Sequence, residues 1–234
     1  MLKKKAWLSK YKHAWLLSYF FLYFVWFFYL EQRTSVEYTS IQIGLDFKIP
    51  FCEYFIIPYL LWFLYIAGTI TYFFFTDVSD YYRCCAFLFI GMTICLIIYT
   101  IFPNEQNLRP MTFERHNIFT DMVQGIYNSD TSTNVCPSIH VFNSIGIFLC
   151  IAKSQRLKNK KGIKLSAGIL TVLICLSTVF LKQHSVFDGI CAIGLACVMY
   201  VFVYKVNYQK LFSRDLLEQK DMYTKKKWRG FNNT

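Results

Sequence analysis

Long apolar stretches alternate with shorter polar ones along the 234 residues of the chain. Six of these stretches are apolar enough to form membrane helices, and the second is long enough to cross a hydrocarbon core of ~30 Å at ~1.5 Å per residue. The fourth is short for a full crossing, so we expect its first residues to lie at or just below the membrane surface. The predicted helices cover residues 14–30, 51–75, 84–102, 137–152, 165–181 and 185–204.

Two of the polar connections carry predictions of their own. Between residues 41 and 49, apolar and polar positions alternate strictly, which predicts an extended segment half-buried on the membrane-facing surface. Residues 103–137 form the longest polar stretch, and loops longer than about 15 residues are commonly functional or disordered.

Composition places the chain among integral membrane proteins. It is 55% hydrophobic and 20% aromatic, too apolar for the polar surface of a soluble domain. A net charge of +11 would suggest nucleic acid in a soluble protein, but here the basic residues flank apolar segments, so we expect no nucleic-acid partner. We predict an all-α, six-helix membrane bundle forming one domain over residues 1–234, with a basic cytoplasmic tail at 206–234.

Lysine and arginine are distributed unevenly between the two faces of this bundle. Six spans place both termini on one side, and that side holds 20 of the 25 basic residues. The positive-inside rule makes it cytoplasmic, so we expect a multi-pass protein of the cell membrane with both termini in the cytoplasm. Four polar residues then gather at the outer face at or near span ends, namely Arg109, His140, His184 and Asp188.

His184 and Asp188 follow the end of the fifth apolar span. On a helix, their spacing of four residues places them on one face, with Ser177 two turns earlier on the same stripe. A carboxylate fixes the tautomer of a histidine and stabilises the positive charge that develops on it during reaction. The alternative is a polar pair that merely marks the membrane boundary.

Pro137, Ser138 and His140 open the fourth span. A proline in the first helical turn leaves amides that can bind an anion, and Arg109 offers a planar donor fork that matches phosphate. Together with His184, this set suits phosphoryl transfer, in which one histidine attacks phosphorus and the other protonates the leaving oxygen. We expect such chemistry to need no metal and no cofactor.

Three segments of the chain resemble the motifs of the type 2 phosphatidic acid phosphatase (PAP2) superfamily. The resemblance covers about residues 100–200 and implies a six-span helical enzyme that removes phosphate from lipid phosphates or pyrophosphates without a metal. The segments are Arg109-Pro110, then Pro137-Ser138-Ile139-His140, then Ser177-Thr178 with His184 and Asp188.

The resemblance also implies a role for each matched residue. His184 would be the nucleophile that forms a phosphohistidine, Asp188 its orienting acid, and His140 the general acid for the leaving group. The implied phosphate-binding residues are Arg109, Ser138 and Ser177.

The chain departs from the family pattern at three positions. Phe102 stands where the first motif has a lysine, Ile139 where the second has a glycine, and Thr178 where the third has an arginine. Two cations that would contact phosphate are therefore absent. The candidate replacements are Lys182, Arg115 and His116, of which we assign Lys182 to the substrate-binding set.

The expected substrate is a lipid phosphate or pyrophosphate of the phosphatidic acid, phosphatidylglycerol phosphate or polyprenyl pyrophosphate type. Pro-Ser-x-His with Lys-Gln-His-x-x-x-Asp looks closer to the branch that contains inositol phosphorylceramide and sphingomyelin synthases, which makes a phospho-headgroup transferase the first alternative. A non-catalytic protein that binds lipid headgroups is the second. A metal-dependent enzyme built on Asp121, Asp130 and the histidines is a weaker alternative, because their spacing fits no zinc or two-metal motif. The sequence carries no signal for oligomeric state.

Overall fold

A computed structural model describes residues 11–206 of the chain as a helical bundle. The predicted basic tail lies, apart from Val206, outside the described residues, as do the first lysines of the chain. Seven α-helices follow one another within the described part: α1 Tyr19–Glu31, α2 Ile56–Thr76, α3 Val78–Ile101, α4 Ile118–Ser129, α5 Ile139–Lys153, α6 Lys161–Phe180 and α7 Val186–Tyr200. The 3-10 helices Lys12–Ser18 and Glu53–Phe55 precede α1 and α2, and the π-helical turn Val201–Lys205 follows α7.

The predicted six-helix membrane bundle is confirmed. Five helical stretches within residues 11–206 are long and apolar enough to span a membrane: Lys12–Glu31, Glu53–Thr76, Val78–Ile101, Lys161–Phe180 and Val186–Lys205. The sixth apolar helix is α5, whose 15 residues make it shorter, as the sequence predicted.

The third span begins earlier than predicted because residues 78–83 are helical. Asp77 accepts a hydrogen bond from the backbone of Asp80 at 3.0 Å and so caps the start of α3. Arg83 then pairs with Asp80 one turn along the same helix, at 3.7 Å. This polar stretch therefore starts a helix instead of forming a separate turn.

The short helix α5 occupies the centre of the bundle and contacts α2, α3, α6 and α7. Its close approach to α3 depends on Gly91, where an added Cβ would lie 1.9 Å from the ring of Phe142. Phe142 itself is fully buried and stacks on Phe87 of α3, with ring centroids 5.3 Å apart. The residues that open α5 are consequently held on a packed scaffold.

The long polar connection contains a helix that the sequence analysis did not predict. Helix α4 begins with a capping box, in which Asn117 accepts from the backbone of Thr120 while the Thr120 hydroxyl accepts from the backbone of Asn117. Its buried face carries Thr120 and Val123, and Val123 packs in a cluster with Ile56, Tyr59 and Leu181. The connection is therefore packed against the start of α2 and the end of α6.

The prediction of an extended segment over residues 41–49 is wrong. A two-residue strand, Thr39–Ser40, pairs in parallel with Asn104–Glu105, and turns occupy residues 44–48. Asp46 is fully buried, whereas Leu45 and Phe47 are exposed, so burial runs opposite to the alternation. The reason is that Asp46 accepts hydrogen bonds from the Ser185 hydroxyl at 2.7 Å and from the Val186 backbone at 2.8 Å, at the start of α7.

Candidate active site

Asp188, His184 and His140 form a continuous chain of polar contacts at one end of the bundle. Asp188 Oδ2 lies 3.2 Å from His184 Nδ1, and His184 Nε2 lies 3.3 Å from His140 Nδ1. The carboxylate therefore fixes the His184 tautomer with the proton on Nδ1, which leaves the lone pair of Nε2 facing His140. The structure brings together the three residues to which the sequence assigned chemistry.

The pair His184 and Asp188 does not lie on one helix face, contrary to the sequence prediction. Helix α6 ends at Phe180, and His184 belongs to the turn that precedes α7, while Asp188 lies in the first turn of α7. The backbone of His184 donates to Thr178 O at 3.0 Å, and Asp188 Oδ2 also accepts from the Ser185 backbone at 2.9 Å. Asp188 therefore contacts His184 because its side chain caps the start of α7 and reaches back to the turn before that helix.

His140 lies among aromatic rings near the N-terminal end of α2. Its ring stacks on Tyr59 with centroids 4.7 Å apart and packs against Trp62 at 4.3 Å. Helix α5 begins at Ile139, just after Ser138, whose side chain accepts from the Val141 backbone at 3.4 Å. Helix capping and ring packing together hold the imidazole beside His184.

Both histidines line a cavity of about 700 Å³ that extends between α1, α2 and α3. One part of its wall is apolar and includes Leu17, Phe20 and Phe24. The part near the histidines is polar and is lined by Glu31, Ser129, Asp130, Thr131, Thr133, Asn134, Asn143 and Gln183. One polar end joined to a long apolar body matches the shape of a membrane lipid.

Arg109 does not line this cavity, although the sequence placed it among the phosphate-binding residues. Its guanidinium donates to the carbonyl oxygens of Tyr127, Asp130 and Thr131, and to Gln183 Oε1 at 2.8 Å. It also stacks on the Tyr127 ring at 4.6 Å. The arginine therefore orders residues 127–131 and orients Gln183 in this structure.

The other expected phosphate-binding residues also lie away from the cavity wall. Ser138 caps α5, and the Ser177 hydroxyl donates to Ile174 O at 2.6 Å. The Lys182 ammonium donates to the carbonyl oxygens of Asp46 and Ile49 at 2.6 and 2.5 Å. Burial lowers the pKa of Lys182, and the nearby Asp46 opposes that change.

Within residues 11–206, the candidate replacements for the two missing cations do not line the cavity. Thr178 is fully buried, and its hydroxyl donates to Cys175 O at 2.8 Å. Arg115 and His116, the other two candidate replacements, are exposed and do not line the cavity, and Arg115 instead lies 3.7 Å from Glu53. Phe102 ends α3 with 44% of its surface exposed.

Gln183 is a candidate site residue that the sequence left unassigned. It lines the cavity beside His184, is only 3% exposed, and has an Nε2 group with no hydrogen-bond partner. Since Arg109 donates to its Oε1, the amide orientation is fixed and the NH₂ group remains available to donate to a ligand oxygen. Gln106 holds the preceding backbone by donating to the carbonyls of Lys182 and Gln183 at 2.9 and 3.3 Å.

Two carboxylates lie at the polar end of the cavity. The Glu31 carboxylate accepts from the hydroxyl of Thr131 and from Asn134 Nδ2 at 3.3 Å. Burial raises the pKa of the Asp130 carboxyl, and Glu31 adds to the increase, while Arg109 and His184 oppose it. Asp130 is thus a partly buried acid near His184 that is harder to ionise than an exposed one.

These features define a helical membrane protein with a carboxylate-oriented histidine pair at the polar end of a lipid-sized cavity. The chain belongs to the PAP2 superfamily, whose family model matches residues 85–212. No curated protein and no solved structure matches the chain. Membership in the superfamily supports a phosphatase or phosphotransferase activity on lipid phosphates.

Proposed function

We propose that this protein cleaves a phosphate ester of a membrane lipid through a phosphohistidine on His184. The single observation that carries the proposal is the ordered chain from Asp188 to His184 to His140 at the wall of the cavity. A nucleophile, an orienting acid and a second titratable group within hydrogen-bond reach are the components that covalent phosphoryl transfer requires.

The first step forms a nitrogen–phosphorus bond. His184 Nε2 attacks phosphorus while Asp188 stabilises the positive charge that develops on the imidazole. The phosphate has to enter beside Nε2, so it replaces the hydrogen bond between the two histidines. The bond from phosphorus to the lipid oxygen breaks, and His140 gives that oxygen its proton.

The second step releases the phosphoryl group from the enzyme. A water molecule or an alcohol attacks phosphorus, its proton passes to the now neutral His140, and His184 leaves with its lone pair restored. Water makes the enzyme a phosphatase, as for phosphatidic acid, phosphatidylglycerol phosphate or polyprenyl pyrophosphate, and an alcohol makes it a headgroup transferase. Neither step requires a metal, because His140 assists the leaving oxygen and protein donors such as Gln183 hold the phosphate oxygens.

The site is proposed to face the extracytoplasmic side of the cell membrane, because the opposite loops carry most of the lysine and arginine. A lipid would then reach the histidines from the outer leaflet, with its chains in the apolar part of the cavity.

Replacing the nucleophile tests the proposal. We expect His184→Ala to abolish turnover and labelling by a ³²P-lipid. Asp188→Asn should raise the barrier by several kcal/mol, which lowers the rate on the order of 10³-fold or more. The label should be stable in base and labile in acid, as a phosphohistidine is. The matched control is His116→Ala, an exposed histidine outside the cavity.

The assay uses purified full-length protein with phosphatidic acid, phosphatidylglycerol phosphate and polyprenyl pyrophosphate, each with and without an acceptor alcohol. Full activity in EDTA is the expected result. A folded His184→Ala variant that turns over at the parental rate would show that the nucleophile is misassigned.

A further inference from the structure

The charges around the cavity do not match a phosphate monoester. Among the residues that line it in the described part of the chain, two are carboxylates, Glu31 and Asp130, and none is lysine or arginine. The nearby cation Lys182 donates to backbone carbonyls, and the two terminal nitrogens of Arg109 donate to backbone carbonyls and to Gln183, while Arg109 Nε is buried without a partner. A monoester carries a charge of about −1.5 to −2 at neutral pH, which two carboxylates would repel.

Unpartnered polar groups show that this end of the cavity is suited to a ligand. The Gln183 Nε2 group and Asn143 Oδ1 belong to side chains that are 3% and 2% exposed, and neither atom has a hydrogen-bond partner. The indole nitrogen of Trp62 is likewise buried without a partner beside His140. Buried polar groups are almost always paired, so these atoms indicate contacts that a bound molecule completes.

The cavity wall changes from apolar to polar along the first span. The apolar part begins near Leu17, and Glu31 lies roughly 20 Å further along the first span at ~1.5 Å per residue. The histidines and Gln183 share the polar end with the two carboxylates. A zwitterionic phospholipid would match these surroundings with its apolar chains in the apolar part and with both its phosphate and its positive group in the polar part.

Aromatic rings accompany the carboxylates. Phe27 lies one helical turn before Glu31 on the cavity wall, and Tyr59 and Trp62 line the wall next to His140. Aromatic faces attract ammonium groups, including quaternary ones that donate no hydrogen bond. A cationic headgroup would also provide the opposite charge that favours the ionised form of Asp130.

We propose that the substrate is a phosphodiester lipid with an ammonium headgroup, of the phosphatidylcholine or phosphatidylethanolamine type. This inference rests on the proposed phosphohistidine chemistry and names its substrate class. His184 attacks the diester phosphorus, the bond to the diacylglycerol oxygen breaks, and His140 protonates that oxygen. The phosphorylated headgroup stays on His184 beside Glu31 and Asp130 until water or an alcohol takes it.

A panel of lipids that differ only in the headgroup tests the substrate class. Purified full-length protein is assayed in mixed micelles with phosphatidylcholine, phosphatidylglycerol and phosphatidic acid of identical chains, and released diacylglycerol is measured. We expect phosphatidylcholine to be cleaved at least about tenfold faster than the other two, which corresponds to ~1.4 kcal/mol. Dodecylphosphocholine should inhibit more strongly than dodecyl phosphate.

Neutral variants of the two acids connect that preference to the cavity. Glu31→Gln, which retains an acceptor oxygen, and Asp130→Asn should reduce phosphatidylcholine cleavage by a larger factor than phosphatidylglycerol cleavage. Glu37→Gln is the matched control, because Glu37 is exposed and does not line the cavity. Thermal unfolding of each variant shows whether it is folded.

The outcomes separate this inference from the proposed function. Cleavage of phosphatidic acid or phosphatidylglycerol that depends on His184 and exceeds cleavage of phosphatidylcholine overturns the substrate class and leaves the phosphohistidine proposal standing. Equal losses on every lipid in both acid variants also overturn it. Absence of His184-dependent cleavage of every lipid overturns both.

Discussion

His140 shows how a single residue can be tested apart from the rest of the site. Its ring lies 3.3 Å from His184 at the closest nitrogens and packs against Tyr59 and Trp62, which suits an acid held at a fixed place. Removing it should leave the nucleophile and its carboxylate in position. Only the proton delivered to the leaving oxygen would be lost.

In a His140→Ala variant, cleavage of the lipid ester should therefore fall much more than cleavage of the p-nitrophenyl ester of the same phosphate group. Nitrophenolate leaves without a proton, whereas an alkoxide needs one, and general-acid assistance is typically worth ~10²- to 10⁴-fold. The measurement is the ratio of the two rates in parent and variant. Equal losses on both esters would assign His140 to phosphate binding or to folding.

The sequence predicted that His140, His184 and Asp188 lie together, but it did not predict the surroundings of the expected phosphate-binding residues. Spacing within short motifs identified His140, His184 and Asp188, because each motif brings its own residues close together. The donors around a phosphate depend on side-chain directions across several helices. Arg109 and Lys182 were expected there, yet both give their hydrogen bonds to backbone carbonyls.

The sequence could have predicted that Tyr59 and Trp62 lie on one side of a helix. Their spacing of three residues on α2 gives them one face. In a chain that is 20% aromatic, however, such spacing carries little information. Gln183 directly precedes His184 in the sequence, whereas Glu31 had no comparable signal, because only the packed bundle brings it to the histidines.

Asp130 gives a prediction with a definite pH dependence. Burial raises the pKa of its carboxyl in the folded protein, so the folded state holds this proton more tightly than the unfolded state. Folding stability therefore falls as pH rises from the ordinary carboxyl pKa of ~3.9 through the raised value. Asparagine does not titrate and escapes this loss.

Asp130→Asn should consequently unfold at a higher temperature than the parent at neutral pH, and the difference should shrink as pH falls toward ~4. Thermal unfolding in detergent over a pH series measures it. Asp121→Asn, an exposed acid on α4, is the control and should show a small difference. A gap that widens on acidification would contradict the environment described for Asp130.

At the scale of secondary-structure elements, the loop over residues 41–50 holds the start of α7. Asp46 accepts from Ile43, Ser185 and Val186, and Lys182 ties the same loop through two carbonyls. Lys182 also has a φ of 53°, a left-handed conformation that costs energy for a residue other than glycine. Hydrogen bonds from both sides thus fix the turn that carries His184.

Because both residues hold one loop, their substitutions should not be additive. Asp46→Asn and Lys182→Met should each destabilise the fold by ~1–3 kcal/mol, and the double variant by less than the sum. Lys48→Met on the same loop is the control, because Lys48 is exposed. An unchanged unfolding temperature with weakened vanadate inhibition in Lys182→Met would instead make Lys182 a phosphate ligand.

The same loop shows why periodicity failed locally while it succeeded for the helices. A membrane span repeats one environment for ~20 residues, so composition alone reveals it. Residues 41–49 are only a few positions long, and the hydrogen bonds of one carboxylate at a helix start outweigh the burial of Leu45 and Phe47. Helix α4 was missed for a related reason, because its capping box at Asn117 and Thr120 lies in a stretch that reads as polar.

For the whole molecule, the distribution of charge is the basis for its orientation in the membrane. Residues 153–164 run from the end of α5 into the first turn of α6, and they include six lysine and arginine residues and no acid. The polar end of the cavity lies at the opposite ends of these helices, beside α4. The positive-inside rule therefore predicts that the histidines face outward, where a lipid of the outer leaflet can reach them.

Engineered cysteines on the two sides test this orientation. A cysteine at Asn159, in the basic connection, should react with a membrane-impermeant maleimide only after the cells are opened, whereas a cysteine at Asn128 on exposed α4 should react in intact cells. The parent, whose cysteines within residues 11–206 are free thiols, sets the background in each condition. Labelling at Asn159 together with protection at Asn128 in intact cells would reverse the orientation. The catalytic site would then face the cytoplasm and draw its lipid from the inner leaflet.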